Sequence, residues 1–214
     1  MKKIITTVGP SLLHQVPLVD VHHQRNIYRI NGAHGSIDDI ERYILEIWRQ
    51  VPSAEILMDL PGNKVRTSGF EKAIHIQNGK TFELGFSQTN YTAFYSHLNV
   101  GDIVWANDST FQFVVEQIDM ENKVIHLGSK SDGYLENNKG MHVRGIHSDI
   151  PFLFEKDRAL IELANKHNLA YVGLSFVRTA QDIQLAKTLI GEGIKIISKV
   201  ETKAAVDNLL DILN

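Results

Sequence analysis

The chain has 214 residues, a formal net charge of −3, 43% hydrophobic and 22% charged residues, and no cysteine. This length can bury a sizeable core in one or two domains, and the balance excludes the basic stripe of a nucleic-acid binder, disulfides and thiolate metal sites. No apolar run approaches the ~20 residues of a membrane span, and Met1-Lys2-Lys3 leads into too short an apolar stretch for a secretory signal. The expectation is a soluble, cytoplasmic protein with no nucleic-acid and no membrane partner, in which the sequon Asn90-Tyr91-Thr92 is a chance occurrence.

Two textures alternate along the chain. Lys3–Val8 is a short β-branched run closed by Gly9-Pro10, which predicts a buried strand and its stop. Asn26–Ile30 predicts a second strand. Ser36 then caps a helix, with Asp39 placed as in a capping box. Ile37, Ile40, Tyr43, Ile44, Ile47 and Trp48 follow at three- and four-residue spacing and give that helix one apolar face. Glu55–Met58 is a third strand, ending in Asp59. After Gly69 the texture changes. Ala73–Gln77 and Lys80–Leu84 flank Asn78-Gly79, a hairpin signal. Asp102–Ala106, Gln112–Gln117 and Lys123–Leu127 continue as short strands, and Asn137-Asn138-Lys139-Gly140 reads as a linker. From Glu155 the first texture returns: helix 155–167, strand 170–175, helix 180–190 closed by Gly191 and Gly193, strand 194–198 and helix 203–213. No internal repeat is visible. Strand–helix alternation with nearly continuous apolar strands predicts a parallel α/β sheet, residues 1–69 and 146–214, with an all-β insert at 70–145.

Polar groups gather where the predicted strands end. Arg29 and Asn31 end the second, Asp59 the third, Ser175 the fourth, and Lys199 with Glu201 the fifth. Strand side chains alternate, so Arg29 shares a face with Asn31, and Lys199 with Glu201. In parallel β/α barrels the functional groups sit on the C-terminal strand ends. A carboxylate and an ammonium on one strand suit a divalent cation beside an anion, and an arginine adds a donor fork for phosphate or carboxylate. No Ser/His/Asp or Cys/His constellation is present. The His22-His23 pair is expected to be solvent-exposed, and His142 and His147 carry no ligand-like spacing.

Several segments together resemble the pyruvate kinase family. KKIITTVGPS is similar to its opening strand, YRINGAHG to its Arg-x-Asn-Phe-Ser-His-Gly segment, and ILMDLPGNKVRT to its Asp-x-x-Gly-x-x-x-Arg-Thr loop. GLSFVRTAQD is similar to its Ser-Phe-x-Arg segment and IKIISKVET to its Lys-Ile-Ile-Ser-Lys-Ile-Glu strand; NNKGMHVRG and FEKD stand where its β-domain returns. The order is preserved over the whole chain. The resemblance implies a partial (β/α)8 TIM barrel with an inserted small β-barrel lid, and transfer of phosphate from phosphoenolpyruvate to ADP, giving pyruvate and ATP. It implies that Lys199 neutralises the transferring phosphoryl group, that Glu201 is a carboxylate ligand of Mg2+ or Mn2+, and that Arg29 binds phosphate. Ser175 and Phe176 would line the pocket at the enol end. Arg66, His34 and Lys139 would lie toward the nucleotide, with Lys139 carried by the lid, whose closure would exclude water.

Departures from the family pattern follow the same loops. Gly32-Ala33 stands where Phe-Ser is usual, Leu60 replaces a threonine, and Val143-Arg144 replaces Leu-Pro. Asn31, Ala33, Asp59 and Leu60 match the monovalent-cation site, which has lost two hydroxyls here. Lys64 stands where potassium-dependent members carry glutamate, so its ammonium is expected to substitute for the ion and potassium is not required. The family's barrel has eight strands. This chain ends after the fifth strand and its helix, and is expected to be a fragment of a longer protein, inactive alone, self-associating through open sheet edges, and homo-oligomeric. The alternatives are a non-catalytic homologue, favoured by Gly32-Ala33, and a metal-dependent lyase or aldolase of a related barrel acting on pyruvate.

Overall fold

A computed structural model describes residues 2–10, 15, 17–146 and 149–213, so His147 lies outside the described residues. Two compact units emerge: Met1–Asn63 with Phe152–Asn214, and Lys64–Pro151.

The first unit is built on strands β1 (Ile4–Val8), β2 (Asn26–Asn31), β3 (Glu55–Asp59), β11 (Tyr171–Leu174) and β12 (Lys195–Ser198). They form one parallel sheet in the order β1-β2-β3-β11-β12. Its helices are α1 (Leu18–Val21), α2 (Ile37–Gln50), α3 (Glu155–Lys166), α4 (Ala180–Lys187), α5 (Lys203–Asp207) and α6 (Leu209–Leu213). Helix α2 starts where its capping box predicts: Ser36 Oγ accepts the Asp39 N–H at 3.1 Å, and Asp39 Oδ2 accepts the Ser36 N–H at 2.9 Å. Its Ile40, Ile44 and Ile47 are fully buried and join Tyr28, Ile30, Ile56, Met58, Val172 and Leu174 in the main core. Those strand residues alternate with a second set. Ile27, Leu57 and Tyr171 form a separate apolar layer on the opposite face, with Ile197 packed against it. The next residues along that face are Arg29, Asp59, Gly173 and Lys199. The sheet therefore carries an apolar floor with polar groups above it.

Three expectations for this unit are corrected. The last predicted helix breaks at Asn208 into α5 and α6; the Asn208 side chain there donates to the Arg178 carbonyl at 3.1 Å. Helix α4 stops at Lys187, short of residue 190. His22 is half-buried, not solvated, because its ring stacks on Tyr28 and its Nδ1 lies 3.1 Å from the Tyr28 hydroxyl.

The second unit holds β4 (Ile74–Ile76), β5 (Thr81–Gly85), β6 (Ile103–Ala106), β7 (Phe111–Asp119), β8 (Val124–Ser129), β9 (Gly133–Leu135) and β10 (Met141–Val143). A five-stranded antiparallel sheet runs β10-β6-β7-β8-β5, and β4 pairs with β9. Its core holds Leu84, Val104, Phe113, Val115 and Leu127, all fully buried. The Asn78-Gly79 turn forms, but not as a hairpin. Asn78 N–H goes to Asp132 and Gly79 N–H to the Ser129 carbonyl, so the chain leaves one sheet for the other at this point. The supposed linker at 137–140 is bridged instead. Arg66 pairs with Gly140, Lys139 exchanges contacts with Thr67, and the Met141 N–H donates to the Val65 carbonyl at 2.7 Å.

Candidate active site

Arg29 leaves β2 on the polar layer and reaches diagonally toward Asp59, whose own register partner on β2 is Asn31. Its Nε and Nη2 donate to Asp59 Oδ2 at 2.8 and 2.6 Å, and its Nη1 donates to Thr7 Oγ1 of β1 at 2.9 Å. Asp59 is buried, and a buried carboxylate is costly unless paired. Its second cation is Lys199, whose Nζ lies 3.1 Å from Oδ1 and 3.2 Å from Oδ2. Oδ1 makes no aligned hydrogen bond, so this side is a charge contact. Gly173 makes room for it, since a Cβ there would stand 3.1 Å from Oδ1. Glu201 completes the group with Oε1 at 3.7 Å from Lys199 Nζ. Two cations and two carboxylates thus balance. Asp59 is sealed, while Lys199 and Glu201 keep about a third of their side-chain surface open.

The flanking loops are stitched to the strand ends. Leu60 N–H donates to the Gly173 carbonyl and Gly32 N–H to the Asp59 carbonyl, at 2.9 and 2.8 Å. Gly32 is required by that approach: a Cβ would fall 2.5 Å from Leu160 Cδ1 and 2.9 Å from the Asp59 oxygen. The space a larger residue would occupy is already taken by Leu160. Ser175 is buried and donates its hydroxyl to the Leu60 carbonyl at 2.6 Å. Phe176 adopts φ +55, uncommon for an aromatic residue, and its N–H donates to Glu201 Oε2 at 3.1 Å. Asn31 Oδ1 accepts the Ala33 N–H, and His34 is exposed.

Arg29, Asn31, Asp59, Ser175, Phe176, Lys199 and Glu201 are therefore gathered at the strand ends of the first unit. Arg66, Lys64 and Lys139 belong to the second. Arg66 donates Nη1 to the Asn138 carbonyl at 3.3 Å, while its Nε is buried without a partner, and burial lowers its pKa. Lys139 lies 3.3 Å from Glu136, and Lys64 lies 3.6 Å from Asp108. Thr7 and Asp157 escaped the sequence reading. Parallel register with Arg29 marks Thr7, and the acid three residues after Phe154 marks Asp157 as a capping group.

Among the described residues no three His, Asp or Glu side chains converge as a metal cage. Glu201 offers one carboxylate, about a third open to solvent. That suits a magnesium-type ion, which keeps several waters and is held by one or two carboxylates with substrate phosphate.

A parallel α/β unit with a charged cluster on its C-terminal strand ends is the architecture of a barrel enzyme. The family description "pyruvate kinase, barrel domain" matches residues 1–214. The pyruvate kinase of Borreliella burgdorferi is 28% identical over 225 residues, covering 99% of this chain and 47% of that protein. That of Thermotoga maritima is 29% identical over 231 residues, covering 99% and 49%. The crystal structure of Cryptosporidium parvum pyruvate kinase superposes with a TM-score of 0.83 at 26% identity, over 99% of this chain and 49% of that one. The chain belongs to the pyruvate kinase family. It spans about half the length of these relatives.

Proposed function

We propose that this chain is the first part of a phosphotransferase that moves phosphate from phosphoenolpyruvate to ADP. The observation that carries the proposal is the buried Asp59 carboxylate held between Arg29 and Lys199, with Glu201 alongside. Phosphoryl transfer demands positioning and charge stabilisation more than covalent chemistry. In this reading Asp59 fixes both cations. Lys199, partly open, neutralises charge that develops on the transferring group, and Arg29 directs its remaining exposed edge at phosphate. Glu201 would hold Mg2+ or Mn2+, which supplies positive charge against the phosphate oxygens. Ser175 and Phe176 form the wall behind the substrate, with the Ser175 hydroxyl spent on the Leu60 carbonyl.

The second unit is proposed as the family's β-domain lid, bringing Arg66 and Lys139 to the nucleotide; His34 completes that assignment. Lys64 is proposed to make potassium dispensable. These roles rest on the resemblance of the loops.

The test is a coupled assay for pyruvate on the protein that contains this chain. Lys199→Met should lower turnover about 10²–10³-fold and leave the phosphoenolpyruvate KM nearly unchanged, because the lost interaction strengthens in the transition state. A variant that lost affinity but kept its maximal rate would make Lys199 a binding residue. Aldol cleavage without pyruvate formation from phosphoenolpyruvate would replace the proposal by the lyase reading.

A further inference from the structure

Asp157 is a buried acid that the proposed chemistry does not use. It stands in the first turn of α3 with no solvent exposure. Its Oδ2 accepts the Phe154 N–H at 2.8 Å, an ordinary contact at a helix start. Its Oδ1 does something a cap does not require. It accepts the Gly62 N–H at 2.9 Å, on the loop that follows β3, 95 residues away in sequence.

Gly62 is pressed against the active-site wall. It has φ +71, and a Cβ there would fall 2.8 Å from Ser175 Cβ, 2.9 Å from Phe176 Cδ2 and 3.0 Å from the Ser175 oxygen. The Ser175 hydroxyl ties the same segment to Leu60, two residues before Gly62. Phe176 is held in its left-handed conformation beside this loop, and such a conformation persists only when the surroundings over-determine it. The product of that conformation is an N–H aimed at Glu201, next to Lys199.

We infer that Asp157 is a positioning residue: by clasping Gly62 it holds the loop that backs Ser175 and Phe176, and so keeps the Phe176 N–H on Glu201. The inference rests on the reading of Glu201 as part of the active site. Asp157 touches no reacting group; it acts through the loop.

The clasp responds to protons. Burial pushes the Asp157 carboxyl up to about 6, against the pull of the Gly62 and Phe154 N–H groups and of Lys156 and Arg158 on its own helix. The charged groups on the neighbouring elements are Glu41 on α2, which pairs with Lys166 and His167 at the other end of α3, Asp59, Arg29, Lys199 and Glu201 at the strand ends, and the Arg178–Asp182 pair after β11. A proton on Asp157 turns one of its two acceptor oxygens into a hydroxyl and weakens the hold on both N–H groups.

The experiment is a pH titration of backbone amide signals in the protein that contains this chain, as wild type and as Asp157→Asn. The amides of Gly62, Phe154 and Phe176 should move with one shared midpoint near 6, and that movement should vanish in the variant. Titration of Gly62 and Phe154 without Phe176 would reduce Asp157 to a helix cap and overturn the inference, as would no titration at all. If Asp157→Asn does not fold, the presence or absence of the shared midpoint in wild type decides alone. Mn2+ titrated into the same samples gives a second readout through paramagnetic broadening at Glu201. Asp157→Asn should weaken it about tenfold, as loss of a supporting contact does, while Asp39→Asn, at the cap of α2, should leave it unchanged. Equal Mn2+ affinity in wild type and Asp157→Asn would count against the inference. Absence of broadening in wild type would sink the metal role of Glu201, and the shared midpoint would then judge the positioning role by itself.

Discussion

The two units treat their charges differently. In the first, Arg29, Asp59 and Lys199 come from three strands scattered over 170 residues and meet around one buried carboxylate. In the second, Lys139 pairs with Glu136 three residues away, and Lys64 pairs with an almost fully exposed Asp108. The first arrangement is expensive to make and costly to disturb; the second resembles ordinary surface pairing. In parallel β/α barrels functional groups gather on the C-terminal strand ends, and the buried, charged cluster stands at that end of the first unit.

The two units should differ most when the acid at the centre of each arrangement is removed. Asp59→Ala leaves Arg29 and Lys199 facing each other over a cavity and should cost about 3 kcal/mol in urea unfolding, with solvent at the partly open cations keeping it below the loss at a sealed pair. Asp108→Ala should cost about 0–1 kcal/mol, as exposed pairs do. Equal losses would erase the distinction between the units.

The next largest difference between the units lies in their response to pH. The Asp157 carboxyl is raised to about 6 in the fold, above its unfolded value of about 3.9, so the folded state holds the proton more tightly. Its contribution is present in acid and is lost as pH rises from about 4 to about 6, by about 2–3 kcal/mol. His142, in the second unit, keeps much of its surface open, and its pKa is shifted the other way, first by partial desolvation and then by Lys64. Its unfolded form takes the proton more readily, so its contribution is lost as pH falls below about 6.5. Stability curves of Asp157→Asn and His142→Gln against pH should each flatten, with opposite slopes removed. The same sign for both would contradict the assignment. Asp157 is thus kept ionised near neutral pH at a cost to stability, as functional groups often are.

The third and smallest effect concerns packing. Gly32→Ala should destabilise the first unit by about 1–3 kcal/mol, because its methyl meets Leu160 and the Asp59 carbonyl. Leu160→Ala costs its own buried packing, but the double variant should lose less than the sum of the two single losses, because the methyl then has room. Gly79→Ala, at a turn of the second unit with nothing within 4 Å, should cost only its backbone strain at φ +72.

Much of the first unit was legible because its signals are local. The β-branched runs, the Ser36 and Asp39 capping pair and the order of the motifs each depend on a few adjacent residues, and the strand-end positions of Arg29, Asp59 and Lys199 follow from them. What the spacing could not convey is that the fork of Arg29 closes on Asp59, since that depends on how β2 and β3 align. The second unit misled for the same reason. Asn78-Gly79 makes the turn its residues demand, but the strands on either side choose partners about 40 to 60 residues away, β8 and β9. Gly62 and Asp157 stand 95 residues apart in sequence, so only the fold brings them together.

The stitching at the base of the second unit bears on how the chain reaches its fold. Leu57 of β3 pairs with Tyr171 of β11, and the whole second unit lies within the loop between them. Closing so long a loop early is slow, because chain entropy is spent before any contact repays it. The second unit ties its own ends together through Arg66 with Gly140 and Val65 with Met141. Once it has folded, the loop that β11 must close is no longer the full intervening chain but the short stretches on either side of that knot. The expected order is therefore antiparallel unit first and central parallel pairing afterwards: variants that loosen the Arg66–Gly140 bridge should slow the appearance of the parallel sheet more than they lower its final stability, and stopped-flow refolding checks it.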